Sequence, residues 1–85
     1  MLEGLPAALG GAITAAVPIP TISIGAGPQC DGQILVVHDL LGLFEGFTPK
    51  FVKRYANLAA SMKTAFSAYR DEVERGVYPG PEHCY

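Results

Sequence analysis

Pro20-Thr21-Ile22-Ser23-Ile24-Gly25-Ala26-Gly27-Pro28-Gln29-Cys30-Asp31-Gly32-Gln33-Ile34-Leu35-Val36-Val37-His38-Asp39 decides the fold class of this chain. It contains two short apolar runs, residues 21–24 and 34–37, each ending in a glycine-rich or polar loop. A strand wetted on one face alternates apolar and polar residues, whereas a strand buried on both faces reads as an unbroken apolar run. The stretch therefore predicts an α/β protein with a parallel sheet. Such sheets place their chemistry at the carboxyl ends of the strands. The loops that follow the two runs carry two acids, Asp31 and Asp39.

Upstream, Met1-Leu2-Glu3-Gly4 reads as the end of another strand. Pro6 suits a first helical turn. Leu9, Ile13, Ala16 and Val17 follow at helical spacing and predict a helix over 6–16. Gly10 and Gly11 weaken it by roughly 1 kcal/mol each, and Pro18 and Pro20 end it. Downstream, Pro49 opens a long predicted helix over 49–75, with apolar residues at steps of three and four forming one stripe. Its aromatic members, Phe51, Tyr55, Phe66 and Tyr69, are expected in a core or an interface rather than around a ligand. Its polar face is mixed in sign, which argues against a membrane-surface helix. The tail, 76–85, is proline-rich and irregular.

The connection between the two apolar runs, residues 25–33, is shorter than the roughly dozen residues of an ordinary parallel crossover. Either a compressed link is expected there, with a turn of helix after Pro28, or the strands pair differently. The order of strand end, helix, strand, strand and long helix fits the closing segment of a (β/α)8 barrel.

Eighty-five residues make one domain at most, although 49% of them are hydrophobic. A parallel sheet must be covered on both faces, and two helices rarely suffice. The chain is therefore expected to be a fragment or to assemble with other chains. A net charge of −2 argues against a nucleic-acid partner. No Lys or Arg precedes Lys50, and the charged residues before it are Glu3, Asp31, Asp39 and Glu45. Functional carboxylates cluster at sites, so these four acids are candidates. Cys30 and Cys84 have neither metal nor disulfide-framework spacing. They are expected as free thiols in a reducing, cytoplasmic setting. No apolar run approaches the ~18 residues of a membrane span, and no basic segment marks a signal peptide.

Several pieces, taken in order, carry a resemblance. They are Leu2-Glu3-Gly4-x-Pro6, then Ile19-Pro20-Thr21-x-x-Ile24-Gly25-Ala26-Gly27, then Cys30-Asp31-Gly32-Gln33-Ile34-Leu35-Val36-x-His38-Asp39-x-Leu41-Gly42. Pro49-Lys50-Phe51-Val52-Lys53-Arg54-Tyr55 and Tyr78-Pro79-Gly80-Pro81-Glu82-His83 follow in register. Together they resemble ketopantoate hydroxymethyltransferase, also called 3-methyl-2-oxobutanoate hydroxymethyltransferase, across essentially the whole chain. Two features depart from that pattern: the Gly10-Gly11 pair, where a stronger helix former is usual, and Met1, where an apolar strand residue is usual.

The resemblance implies a (β/α)8 barrel of the phosphoenolpyruvate and pyruvate superfamily, with this chain as its C-terminal third, residues 1–85. It implies transfer of a one-carbon unit from 5,10-methylenetetrahydrofolate to 3-methyl-2-oxobutanoate. The product is 2-dehydropantoate, in the first committed step of pantothenate synthesis. It also implies Mg2+, with metal-binding carboxylates and a substrate-gripping lysine on earlier strands outside this chain, and a large homo-oligomer, commonly a decamer.

On the same basis Glu3 matches the family's general base. A carbon beside a ketone must lose a proton to become a nucleophile, and a nearby carboxylate takes it. A metal on the keto acid would stabilise the enolate. Leu2 and Leu5 are expected to give Glu3 an apolar setting that raises its pKa; composition alone reads it as an exposed acid at a frayed end. Gly25, Ala26 and Gly27 are read as substrate-binding backbone at a strand end, or as a tight turn that needs glycine. Asp31 is read as a cap or turn former, His38-Asp39 as a structural pair at a strand end, and His83 as surface or interface. Two other readings stand beside this one. In one the chain serves as a non-catalytic or split-enzyme assembly module; in the other it belongs to a different barrel enzyme of the same superfamily acting on a phosphoenolpyruvate-like or malate-like substrate. The Cys30-Asp-Gly-Gln and Pro79-Gly-Pro-Glu-His segments argue against the latter.

Overall fold

The computed structural model describes residues 1–85. Three short strands, β1 (Leu2–Glu3), β2 (Ile22–Ile24) and β3 (Gly32–Gln33), form a parallel sheet in the order β1-β2-β3. Helix α1 (Ala7–Ala16) connects β1 to β2, α2 (Val37–Leu40) follows β3, and α3 (Leu58–Glu74) is the long helix. A single 3-10 turn, Pro81–His83, closes the tail. The chain is thus α/β with a three-stranded parallel sheet and a long helix.

The register is set by backbone pairing. Leu2 lies beside Ser23 and Glu3 beside Ile24, while Ile22 lies beside Gly32 and Ser23 beside Gln33. Side chains alternate along a strand, so Glu3, Ile22, Ile24 and Gly32 share one face and Leu2, Ser23 and Gln33 the other. The ladder continues past the strands: Gly4 N–H donates to the Ile24 carbonyl (3.0 Å) and Ile34 N–H to the Ser23 carbonyl (2.9 Å).

The third strand is not the apolar run expected at 34–37. Pairing with β2 selects Gly32 and Gln33, because a ladder is made by backbone groups and is indifferent to side-chain polarity. Val36 then turns the chain: its carbonyl accepts from Asp39 N–H (3.0 Å) and Leu40 N–H (2.9 Å), which starts α2. His38 and Asp39 therefore lie in a helical turn rather than at a strand end. The β2–β3 link contains no helix; of the two alternatives for this short connection, the turn of helix after Pro28 is not formed and the strand pairing differs instead, using Gly32 and Gln33. The strands are two and three residues long. At about 3.3 Å per residue, the return path is short enough for a bare loop.

The long helix also starts later than expected, at Leu58 rather than Pro49. The backbone N–H groups that would continue it upstream have other partners. Tyr55 N–H donates to the Leu40 carbonyl (2.8 Å), Leu58 N–H to Leu41 (3.0 Å) and Ala59 N–H to Gly42 (3.1 Å). These bonds lay residues 49–57 across the end of α2 as an irregular segment. Arg54 fixes its outer turn by donating to the Phe44 carbonyl and the Thr48 hydroxyl, both at 2.8 Å.

Gly10 belongs to α1 for a packing reason. A Cβ there would collide with the Ala26 carbonyl oxygen, so glycine allows the helix to close on the β2–β3 loop. A polar clamp ties the opposite end of the sheet. Asp31 Oδ2 accepts from Thr21 N–H (2.8 Å) and from the Thr21 hydroxyl (3.2 Å), and Thr14 and Thr21 hydroxyls lie 2.8 Å apart.

Little of the chain is enclosed. Eight of 85 residues are buried, among them Thr21, Ser23, Ile24, Ala26, Cys30 and Ala59. The radius of gyration is 21.2 Å, against about 12 Å for a compact domain of this length. The long helix carries Met62, Phe66, Tyr69 and Val73 on an exposed stripe. No helix is long and apolar enough to cross a membrane.

Candidate functional site

Parallel strands bring their carboxyl ends to one edge of the sheet. Here that edge carries Glu3 and Gly4 after β1, Gly25-Ala26-Gly27 after β2, and Ile34 after β3. Glu3 sits beside Ile24, one residue before the glycine loop. The sheet thus brings together two candidates that lie more than twenty positions apart in sequence.

The loop is held in shape from two sides. Ala26 N–H donates to the Ser23 hydroxyl (2.9 Å), and Gln33 Nε2 donates to the Gly27 carbonyl (2.9 Å). Ser23 is fully buried, so its hydroxyl is an internal brace rather than a reactive group. Gly25 has φ +71° and Gly27 φ +90°, a region that side chains with a Cβ rarely adopt. A Cβ on Gly25 would also stand 2.5 Å from Phe51 Cδ1. The tight-turn reading of this glycine loop thus has a physical basis here, and the close approach at Gly25 is that of the Phe51 ring.

Phe51 is the residue that sequence reading misassigned. It leaves the helix stripe and lies over Gly25, where it separates two open clefts. The smaller, about 540 Å³, is lined by Gly4, Leu5, Pro6, Ala7, Gly25, Gly27, Lys50 and Phe51. The larger, about 770 Å³, is lined by residues that include Gly25, Gly27, Gln33, Phe51, Lys53 and Tyr55. Lys50, Lys53 and Tyr55 likewise lie outside the long helix, which spans Leu58–Glu74 rather than 49–75.

Glu3 is exposed. The apolar enclosure expected from Leu2 and Leu5 is not built by these residues: Leu2 points to the opposite face of β1, and Leu5 lies beyond the Gly4 turn. Asp31 clamps Thr21 at the far end of the sheet. His83 is on the surface, its Nδ1 accepting from Gly80 N–H (3.1 Å). Cys30 is buried and Cys84 exposed, and both are free thiols. No three His, Cys, Asp or Glu side chains come together, so the residues of this chain do not fit a Mg2+ site by themselves.

Fold and site define an α/β protein with its candidate chemistry at the carboxyl edge of a parallel sheet. A family model described as ketopantoate hydroxymethyltransferase matches residues 1–81. The chain belongs to this family. It is 58% identical over 83 residues, 98% of its length, to the 3-methyl-2-oxobutanoate hydroxymethyltransferase of Syntrophobacter fumaroxidans. It is 61% identical to the protein of that name from Moorella thermoacetica and 57% identical to that from Enterococcus faecalis, over its full length in both cases. It spans 29%, 32% and 31% of the length of these three relatives, respectively.

Proposed function

We propose that these 85 residues supply the general-base end of a ketopantoate hydroxymethyltransferase site, in the closing segment of a (β/α)8 barrel. The complete site transfers a hydroxymethyl group from 5,10-methylenetetrahydrofolate to 3-methyl-2-oxobutanoate, giving 2-dehydropantoate for pantothenate synthesis. The observation that carries this reading is the register of Glu3 beside Ile24. It places the carboxylate one residue from the Gly25-Ala26-Gly27 loop at the same sheet edge. Family membership supports the assignment of this edge to that reaction.

In this reading Glu3 takes the proton from C3 of the keto acid, leaving the electron pair as an enolate. The new C–C bond forms as the one-carbon unit leaves the folate nitrogens, and water supplies the hydroxyl oxygen. The glycine loop lets backbone approach the substrate, with Ser23 and Gln33 holding it in place. Mg2+ belongs to residues outside this chain, as does the enclosure of Glu3. The complete protein is a cytoplasmic homo-oligomer of decamer type in the same reading.

The extended shape and scant burial favour a dependent piece over an autonomous catalyst. The 85-residue chain is therefore expected to show no turnover with Mg2+ and both substrates. A full-length polypeptide containing it is expected to form 2-dehydropantoate. Turnover by the short chain alone, or a full-length protein inert toward both substrates, contradicts the proposal.

A further inference from the structure

We propose that Thr14 is a positioning residue for the reaction proposed above: it fixes α1 along β2, and α1 in turn sets where the Gly25-Ala26-Gly27 loop lies beside Glu3. The inference rests on that reading of the carboxyl edge and extends it to a residue at the opposite edge, which touches neither substrate.

Helix α1 runs between the two edges. At the carboxyl edge it meets the glycine loop through residues without bulk. A Cβ on Gly10 would collide with the Ala26 carbonyl oxygen, and one on Gly27 would stand 2.7 Å from Ala7 Cα. Seven residues of helix, about 10 Å, separate Ala7 from Thr14 at the amino edge. There the Thr14 and Thr21 hydroxyl oxygens lie 2.8 Å apart.

Little else holds α1 in register. It has no side-chain cap, and Gly10 is its one buried residue. It carries no charged residue. Beyond its own flanking residues it makes a single hydrogen bond, Thr14 with Thr21. Apolar contact between small residues is non-directional and tolerates sliding, whereas a hydrogen bond demands a distance and an angle.

The polar contacts form a directed chain. A carbonyl only accepts, so the Thr14 hydroxyl donates its one proton to the Gly10 carbonyl (2.8 Å) and accepts from Thr21. Asp31 Oδ2 holds Thr21 from the other side, accepting from its N–H at 2.8 Å and lying 3.2 Å from its hydroxyl. Thr21 is only 5% exposed, so water does not readily replace a lost partner there. The chain ends on Gly10, the residue whose missing Cβ admits Ala26. From β2, the Ser23 hydroxyl braces Ala26 through its N–H (2.9 Å). Ala26 is thus set between a brace on β2 and a stop on α1, and Thr14 fixes the spacing of the two. Every member of this chain lies on or beside the central strand of the sheet.

The test is deuterium exchange at C3 of 3-methyl-2-oxobutanoate by the full-length enzyme, at saturating keto acid, with urea midpoints measured alongside. Thr14→Val keeps the side chain's shape, and Thr14→Ala favours the helix; both remove the hydroxyl. Each is expected to slow exchange about fivefold, the scale of one neutral hydrogen bond, in protein that is fully folded at the assay temperature. Thr14→Ser, which keeps the hydroxyl, is expected to restore the rate. Exchange at the wild-type rate in either hydroxyl-free variant overturns the inference, whatever the urea midpoint does, and so does a Thr14→Ser enzyme as slow as Thr14→Ala. Should Thr14→Val not fold, Thr14→Ala decides alone. Failure of the parent reading is separate: it shows as wild-type exchange that does not depend on Glu3, and that result overturns both.

Discussion

Gly25 shows how much one residue decides at this site. Its φ of +71° already disfavours any side chain, and its missing Cβ is the space that Phe51 occupies. Alanine there costs about 1–2 kcal/mol in backbone conformation alone, and it pushes Phe51 off the boundary between the clefts. Gly25→Ala in the full-length enzyme is expected to lower kcat/KM by at least about tenfold, the rate equivalent of 1.4 kcal/mol. Wild-type kinetics in that variant would mean that the Phe51–Gly25 contact has no bearing on the reaction. The glycine loop is legible in the sequence because it ends the apolar run 21–24, while Glu3 is legible through the Leu2-Glu3-Gly4-x-Pro6 motif of the resemblance. The surroundings of Glu3 were not, because enclosure depends on residues distant in the chain or outside it. Phe51 was hidden for another reason. Its spacing to Tyr55 is helical, and only the competing carbonyls of Leu40, Leu41 and Gly42 keep the helix from starting there.

At the scale of elements, apolar periodicity located α1 and the body of α3, and the run 21–24 located β2. It failed where backbone pairing and side-chain character part company. Gly32 and Gln33 pair with β2 despite having no apolar side chain, while the apolar residues 34–37 lead into a turn of helix. The long helix poses the opposite question: it is well formed but its apolar stripe faces solvent, with Phe66 at 63% and Tyr69 at 59% exposure. In the barrel reading this stripe packs on neighbouring structure in the complete protein. Phe66→Ala is then expected to leave the short chain nearly unaffected, as surface substitutions usually do. In the full-length protein it should cost about 3 kcal/mol, read as a lower urea midpoint at unchanged slope. An unchanged midpoint would place this face in solvent in the complete protein too.

At the scale of the whole molecule, three parallel strands leave both outer edges of the sheet unpaired. Unpaired backbone edges invite further strands, and in the barrel reading proposed above the rest of a full-length family member supplies them. Composition already pointed this way, since two helices do not cover two faces of a parallel sheet. In the proposed reading, this segment contributes a carboxylate and a glycine loop at a common edge, and the rest of a full-length family member contributes the remainder of the site. The most direct measurement is deuterium exchange at C3 of 3-methyl-2-oxobutanoate by the full-length enzyme, wild type against Glu3→Gln. Removing a positioned base is expected to slow exchange by roughly 10²–10⁴-fold while the protein stays folded and oligomeric. Exchange by the Glu3→Gln enzyme at the wild-type rate would contradict the assignment of the base to this strand end.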